Sequence, residues 1–240
     1  MDSILEIQNL SFSFGLKAVF QGVGLRLGPL DSYAVWGPSG VGKSTLLKII
    51  AGLIPGAGGS IRIEGVEVSA ASQREWQHLR TRLGLVSQEG ALISNLSIYD
   101  NIALPLRYHT RVAEEEVAKR VDALMRTLEI ERDADRAIPA MVSTGVRKLS
   151  AIARALILEP SLLLLDEPTA GLGETAGLRV IQALKGYRER RGAALLLATL
   201  DGTLIGSLAN RLGVLGKNGI LLEGPPREIL EKMARDKIGS

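Results

Sequence analysis

The sequence predicts an α/β domain built on a mostly parallel sheet. Strand-like and helix-like runs alternate from Tyr33 to Gly216, the order expected of parallel strands joined by crossover helices. SLLLLDEP, at 161–168, is almost continuously aliphatic, as a strand buried on both faces must be. The Gly-rich segment GPSGVGKST, at 37–45, joins one short apolar strand to a helix.

Along the chain, ILEIQNLSFSF and VGLRL alternate polar and apolar residues and predict strands with one wet face. YAVW (33–36) is a short strand, and KSTLLKIIAGL (43–53) is a helix closed by Gly52 and Pro55. SIRIEGVEV (60–68) predicts a hairpin about Gly65, and Ser72–Arg82 a polar helix. LGLVSQ (83–88) is a strand with a polar end. From Leu96 to about Arg136 the pattern is mostly helical, with Val117, Val121, Leu124 and Leu128 on one face. GAALLLAT (192–199) and RLGVLG (211–216) are further strands, and GKNG (216–219) is a tight turn. PPREILEKMARDK predicts a last helix with Pro at its start. No repeat, low-complexity linker or second domain after residue 224 is expected.

Composition bounds the function. The 240 residues suffice for one large α/β domain or two small ones. With 46% hydrophobic and 23% charged residues the chain resembles an ordinary globular protein, and 4% aromatics make its core aliphatic. The net charge of +3 comes from Lys and Arg spread along the chain, which argues against a nucleic-acid partner. There is no Cys, so disulfides and thiolate metal sites are excluded. MDSILEIQNL lacks the basic-then-apolar character of a signal segment, and the longest apolar runs are too short to cross a bilayer. Service to a membrane would therefore run through a partner.

GPSGVGKST fits G-x-x-x-x-G-K-[ST] in the strand–loop–helix setting that the motif requires. Gly37, Pro38, Ser39, Gly40, Val41, Gly42, Lys43, Ser44 and Thr45 are the candidate phosphate-binding residues. Glycines let backbone N–H groups turn toward phosphate oxygens, and the helix N-terminus adds partial positive charge. Lys43 would reach the β- and γ-phosphates, and Ser44 would ligate Mg²⁺. The alternative is a Gly-rich turn that only matches the pattern.

Downstream, Asp166 ends the LLLLDEP strand and can hold Mg²⁺ through water. Glu167 offers a second carboxylate that could orient and deprotonate a water in line with the γ-phosphorus. Read without the upstream loop, the pair would do no more than cap the turn at Pro168.

The order of these motifs resembles the ATP-binding-cassette ATPases over nearly all of the chain. GPSGVGKST resembles the Walker A loop, and LLLLDEPTAG resembles Walker B with its catalytic Glu167. Gln88 stands at the Q-loop position, which implies contact with Mg²⁺ and the lytic water and a link to the membrane partner. VSTGVRKLSAIARAL (142–156) is similar to the family signature and its helix. The resemblance therefore adds Ser143 and Gly145 to the nucleotide-binding residues, and Gln88 to Ser44 and Asp166 as metal ligands. Phe14, in SFSFG, fills the place of the aromatic that stacks on adenine, or is a core Phe on an edge strand. The implied fold is one cassette over 1–240. It has a RecA-like P-loop NTPase core, an N-terminal antiparallel β subdomain, and an inserted helical subdomain at about 90–158. The implied cofactors are ATP and Mg²⁺.

Within that family, QEGALISNLSIYDNIALPLRYHT (88–110) resembles the ATPases of bacterial lipid transporters that work with MCE-domain proteins in outer-membrane lipid asymmetry. A generic helical-subdomain segment is the alternative. The resemblance implies a homodimer or heterodimer that binds an integral-membrane permease through residues 88–107. It implies a cytoplasmic location, peripheral on the inner membrane.

The chain departs from the family where ATP hydrolysis is driven. Thr144 replaces a signature glycine and puts a β-branched side chain where backbone approaches phosphate. Val146 replaces a glutamine. Leu200 stands between Thr199 and Asp201 where the family has its switch histidine, and His78 and His109 are the only histidines. Gly173 stands where an Asp is usual. Loss of one hydrogen-bonding group at a developing charge costs on the order of 10²- to 10³-fold in rate, so slow hydrolysis is expected, while drift that leaves the enzyme active remains open. A regulatory ATP-binding subunit with vestigial hydrolysis and a transporter ATPase for another substrate are the competing readings. A small kinase or GTPase is a third: GKNG lacks the acidic partner of a guanine-binding motif, and DNA-repair relatives need insertions that this chain has no room for.

Overall fold

The computed structural model describes residues 3–236; Met1, Asp2 and 237–240 lie outside it, and with them the expected last helical residue, Lys237. The chain opens with β1 (Leu5–Phe14) and β2 (Lys17–Leu27), an antiparallel pair, followed by β3 (Ser32–Trp36) and α1 (Lys43–Ile50). Next come β4 (Gly58–Ile63), β5 (Val66–Glu67), α2 (Gln73–Arg82) and β6 (Leu83–Val86). The expected helical stretch divides into α3 (Ile98–His109) and α4 (Glu114–Thr127), before α5 (Thr144–Leu156) and β7 (Leu162–Asp166). The rest is α6 (Glu174–Arg191), β8 (Ala194–Ala198), α7 (Gly202–Leu208), β9 (Arg211–Gly216), β10 (Gly219–Gly224) and α8 (Pro226–Asp236).

The strands form two sheets. The main sheet runs β10-β9-β3-β8-β7-β6, parallel throughout except for the β9–β10 hairpin at the expected GKNG turn. Every residue of β7 and of β8 is buried, which is why the sequence reads LLLL there without alternation. The second sheet, β2-β1-β4-β5, is antiparallel. In it Leu5 pairs with both Leu27 and Ile63, all three fully buried, while Arg26 and Arg62 beside them face water. Burying each such leucine contributes roughly 1.5–3 kcal/mol.

Local chemistry sets the ends of the elements. Ser72 caps α2 with a reciprocal capping box to Glu75. α1 stops at Ile50, three residues before the expected end, because Gly52 takes φ +70° and Gly52 and Leu53 donate back to Ile49 and Lys48, a Schellman closure. In α3, Asn101 is fully buried and ties down the preceding loop: its Oδ1 accepts from Ile93 N–H at 2.7 Å and its Nδ2 donates to Ile93, Leu96 and Ser97 carbonyls. On α4, Val117, Val121 and Leu128 are buried as expected, but Leu124 is half-exposed and Met125 is buried in its place.

Glu64 joins the two sheets. It sits in the β4–β5 turn, accepts a bidentate pair from Arg82 at 3.0–3.2 Å and takes the Ser161 hydroxyl just before β7. Burial raises its pKa, but the Arg82 and Ser161 hydrogen bonds outweigh this and hold it below the ordinary range.

Helices α6 and α7 have no counterpart among the expectations. α6 buries only the stripe Val180, Ile181, Leu184 and Tyr187 and carries Gly177 and Gly186 in its interior, so its helical period is masked. α7 has seven residues, held at its start by Asp201 accepting from Thr203 and Leu204.

Candidate functional site

The Gly-rich segment joins β3 to α1 at the carboxyl edge of the parallel strands, where crevices form in such sheets. Gly42 caps α1 at φ +110°, and a Cβ there would lie 2.5 Å from Val19 Cγ1; only glycine fits. Lys43 is buried and its Nζ donates to the carbonyls of Gly37 at 2.6 Å and Pro38 at 3.3 Å. Burial pushes its pKa below the usual lysine range, and the nearby Glu167 and Asp166 act against that shift. The loop therefore presents a cation and the N-terminus of α1 at one point, a site for a phosphate.

Asp166 closes β7 and is buried, and Glu167 follows at φ +44° with its N–H on Ala198 O. Both Glu167 carboxylate oxygens are held: Oε2 by Thr199 Oγ1 at 2.8 Å and Oε1 by Leu200 N–H at 3.1 Å. Thr199 Oγ1 in turn accepts from Asp201 N–H, and Asp201 accepts from Thr169 Oγ1. The turns after β7 and β8 are thus one hydrogen-bonded unit.

Lys43, Ser44, Gln88, Asp166 and Glu167 line one cleft of about 610 Å³ with Phe14 at its rim. Phe14 is 56% exposed and packs edge-on against Phe12 at 4.8 Å. Its strand β1 lies inside the antiparallel sheet, so Phe14 is not a core residue on an edge strand. Ser39, Gly40, Val41, Gly42 and Thr45 also line the cleft. Gly37 and Pro38 lie behind it as acceptors for Lys43. A second cleft, of about 400 Å³, shares Ser44, Gln88 and Asp166 with the first and extends to Leu53, Ser87 and Arg154.

Hydroxyl, amide and carboxylate oxygens from Ser44, Gln88 and Asp166 make a hard-donor set that fits Mg²⁺. Among the described residues no group of three or more His, Cys, Asp or Glu could hold a metal alone, so such an ion would need other oxygens, as Mg²⁺ beside a phosphate does.

Ser143 and Gly145 do not line this cleft. Ser143 caps α5 by accepting from Val146 N–H at 3.2 Å, and Thr144 Oγ1 accepts from Arg147 at 2.8 Å. Val146 is half-buried against the main core, which is why an apolar side chain is accommodated. Gly173 begins α6 exposed, with open space around it.

Lys148, beside the cleft, is absent from the sequence-based set, as are Lys17 and Lys217, which line it. Lys148, on α5, is 3% exposed, and its Nζ donates to Gln88 O and to Glu167 O, the latter at 3.2 Å. Burial lowers its pKa, and Asp166 and Glu167 oppose the shift. The signal lay in the helical period: Lys148 falls among Leu149, Ile152 and Leu156 on the apolar face, a position where lysine is rare unless paired.

The ABC transporter family model matches residues 20–170. The chain is 32% identical over 96% of its length to the probable ribonucleotide transport ATP-binding protein mkl of Mycobacterium leprae, and spans 66% of that protein, just under two thirds. It is 29% identical to the intermembrane phospholipid transport system ATP-binding protein MlaF of Haemophilus influenzae, over 95% of this chain and 86% of that one. Among solved structures, the dimeric post-hydrolysis state of the ATP-binding cassette MJ0796 bound to ADP and Pi superposes with a TM-score of 0.86 at 28% identity, covering 93% of this chain and 99% of that one.

Proposed function

From the premise that this chain belongs to the ABC transporter family, we propose that it binds Mg-ATP and powers or gates a membrane transporter, hydrolysing ATP slowly. The observation that carries this reading is the convergence of Lys43, Ser44, Gln88, Asp166 and Glu167 on one cleft. Lys43 neutralises the β- and γ-phosphates, and the N–H groups of residues 39–45 cradle them. Ser44, Asp166 and Gln88 would hold Mg²⁺, which when bound offsets charge between the phosphates. Glu167 is the base for the attacking water. Phe14 stacks on the adenine ring.

The whole of 1–240 acts as one cassette, with a helical subdomain at about 90–158. Two cassettes, identical or related, close head to tail, so that Ser143 and Gly145 of one serve the nucleotide of the other. Their position outside their own cleft supports this arrangement, and the structural relative is itself described as dimeric. A permease docks over residues 88–107, where the second cleft opens beside Gln88, and the cassette sits on the cytoplasmic face of the inner membrane. No described helix is long and apolar enough to cross a membrane.

A lipid, specifically a phospholipid, is the proposed cargo, on the strength of the 88–110 segment and the MlaF relative. A hydrolysis-deficient regulatory subunit is the second reading, favoured by the occupation of both Glu167 oxygens by Thr199 and Leu200. Affinity capture of the full chain from host membranes, identification of any permease and lipid that accompany it, and measurement of Mg-ATP binding and turnover test both. Slow turnover with co-purifying phospholipid is expected. Nucleotide binding without any turnover would leave the regulatory reading, and no nucleotide binding would remove both.

A further inference from the structure

We propose that Lys148 is a positioning residue that locks the signature helix α5 to the backbone beneath Gln88 and Glu167 of its own cleft. It contributes no side chain to that cleft; it acts through two carbonyls that belong to the strand ends bearing those residues.

The geometry has three parts. First, Ser143 caps the N-terminus of α5, and Lys148 lies five residues on, about 7.5 Å along the helix axis. Second, a buried ammonium is costly unless it is fully hydrogen-bonded, so the Gln88 and Glu167 carbonyls cannot drift away from Lys148 without leaving it unsatisfied. Third, α5 grips the same loop again: Arg154 donates to Gly90 O at 3.0 Å and Ala91 O at 2.9 Å. Two cations on one helix thus hold three carbonyls of the segment 88–91. The helix between them is buried from Lys148 to Ala153, so it moves as one body.

A displacement at Ser143 is therefore passed to Gln88 and Glu167 rather than absorbed. This rests on the proposed reading that Ser143 meets the phosphate held by a partner cassette. Lys148 would then carry the state of one nucleotide site to the water-activating groups of the other.

The test uses the full chain with Lys148→Met, Lys148→Gln and Lys148→Arg. Backbone amide exchange over 88–91 is compared with exchange in α1 and β7, and turnover is expressed per nucleotide-binding chain. Lys148→Met is expected to raise exchange at 88–91 about tenfold, leave α1 and β7 unchanged, and lower kcat about tenfold with KM within about twofold; Lys148→Arg restores both. If the Met variant does not fold, Lys148→Gln is judged by the same criteria. Unchanged exchange at 88–91, or a rise spread evenly over the chain, overturns the proposal, since Lys148 would then serve stability alone. Failure of the wild type to bind ATP would sink the nucleotide reading instead and leave the exchange comparison intact.

Discussion

The backbone N–H of Leu200 donates to Oε1 of Glu167 at 3.1 Å, while the Leu200 side chain, 47% exposed, lines the cleft shared by Lys43 and Glu167. The backbone contact is independent of what side chain residue 200 carries. Replacing Leu200 by His would keep the hold on Glu167 and add a ring N–H beside the phosphates. We predict that Leu200→His raises steady-state ATP turnover by at least about tenfold. Unchanged turnover would locate the slow step elsewhere, with Thr144 and Val146 the next candidates.

Glu167→Gln keeps the shape of the carboxylate but removes its basicity. Turnover should fall below detection while ATP affinity, measured by equilibrium binding, stays within about threefold. Undiminished turnover would remove Glu167 as the base.

Lys43→Ala deletes the buried ammonium that Gly37 and Pro38 carbonyls hold at the phosphate loop. Mg-ATP affinity should drop by about a hundredfold or more, the scale of a buried charge-assisted contact. An unaltered dissociation constant would show that the loop is a structural turn.

Much of this was legible in the sequence because it rested on spacing. Glycines at fixed offsets and an aliphatic run ending in Asp166 and Glu167 needed no tertiary knowledge, whereas Gln88 entered only through the family resemblance. Lys148 was hidden because its role is to two carbonyls that only folding brings near it, 19 and 60 residues away. The hold of Thr199 on Glu167 was hidden for the same reason. α6 escaped because its narrow buried stripe and interior glycines blur the period that marks a helix. The switch from Leu124 to Met125 on α4 turns on a side chain that fills irregular gaps.

Glu64→Gln tests the link between the sheets. The folded pKa of Glu64 is depressed, so its stabilisation is complete above the ordinary glutamate value of 4.5 and is lost as pH falls through the lower folded value. At pH 7 the variant should melt lower by about 2–4 °C, as expected for about 1 kcal/mol in a chain of this size. Thermal unfolding at pH 7 and pH 3.5 checks the sign: the gap must narrow at the lower pH, and a constant gap would mean that packing, not ionisation, is responsible.

The order of strands in the main sheet has a consequence for synthesis. β3, which launches the phosphate loop, lies between β8 at 194–198 and β9 at 211–216. It is made well before either neighbour, since β3 ends at Trp36 while β8 begins at Ala194 and β9 at Arg211. Throughout that interval Tyr33, Ala34 and Val35, all fully buried in the finished fold, have no sheet to join. Non-local pairing of this kind delays folding and leaves apolar surface open to aggregation. Nascent chains arrested before residue 194 should therefore remain protease-sensitive at the loop 37–45, and protection there should appear only once β8 and β9 have both emerged.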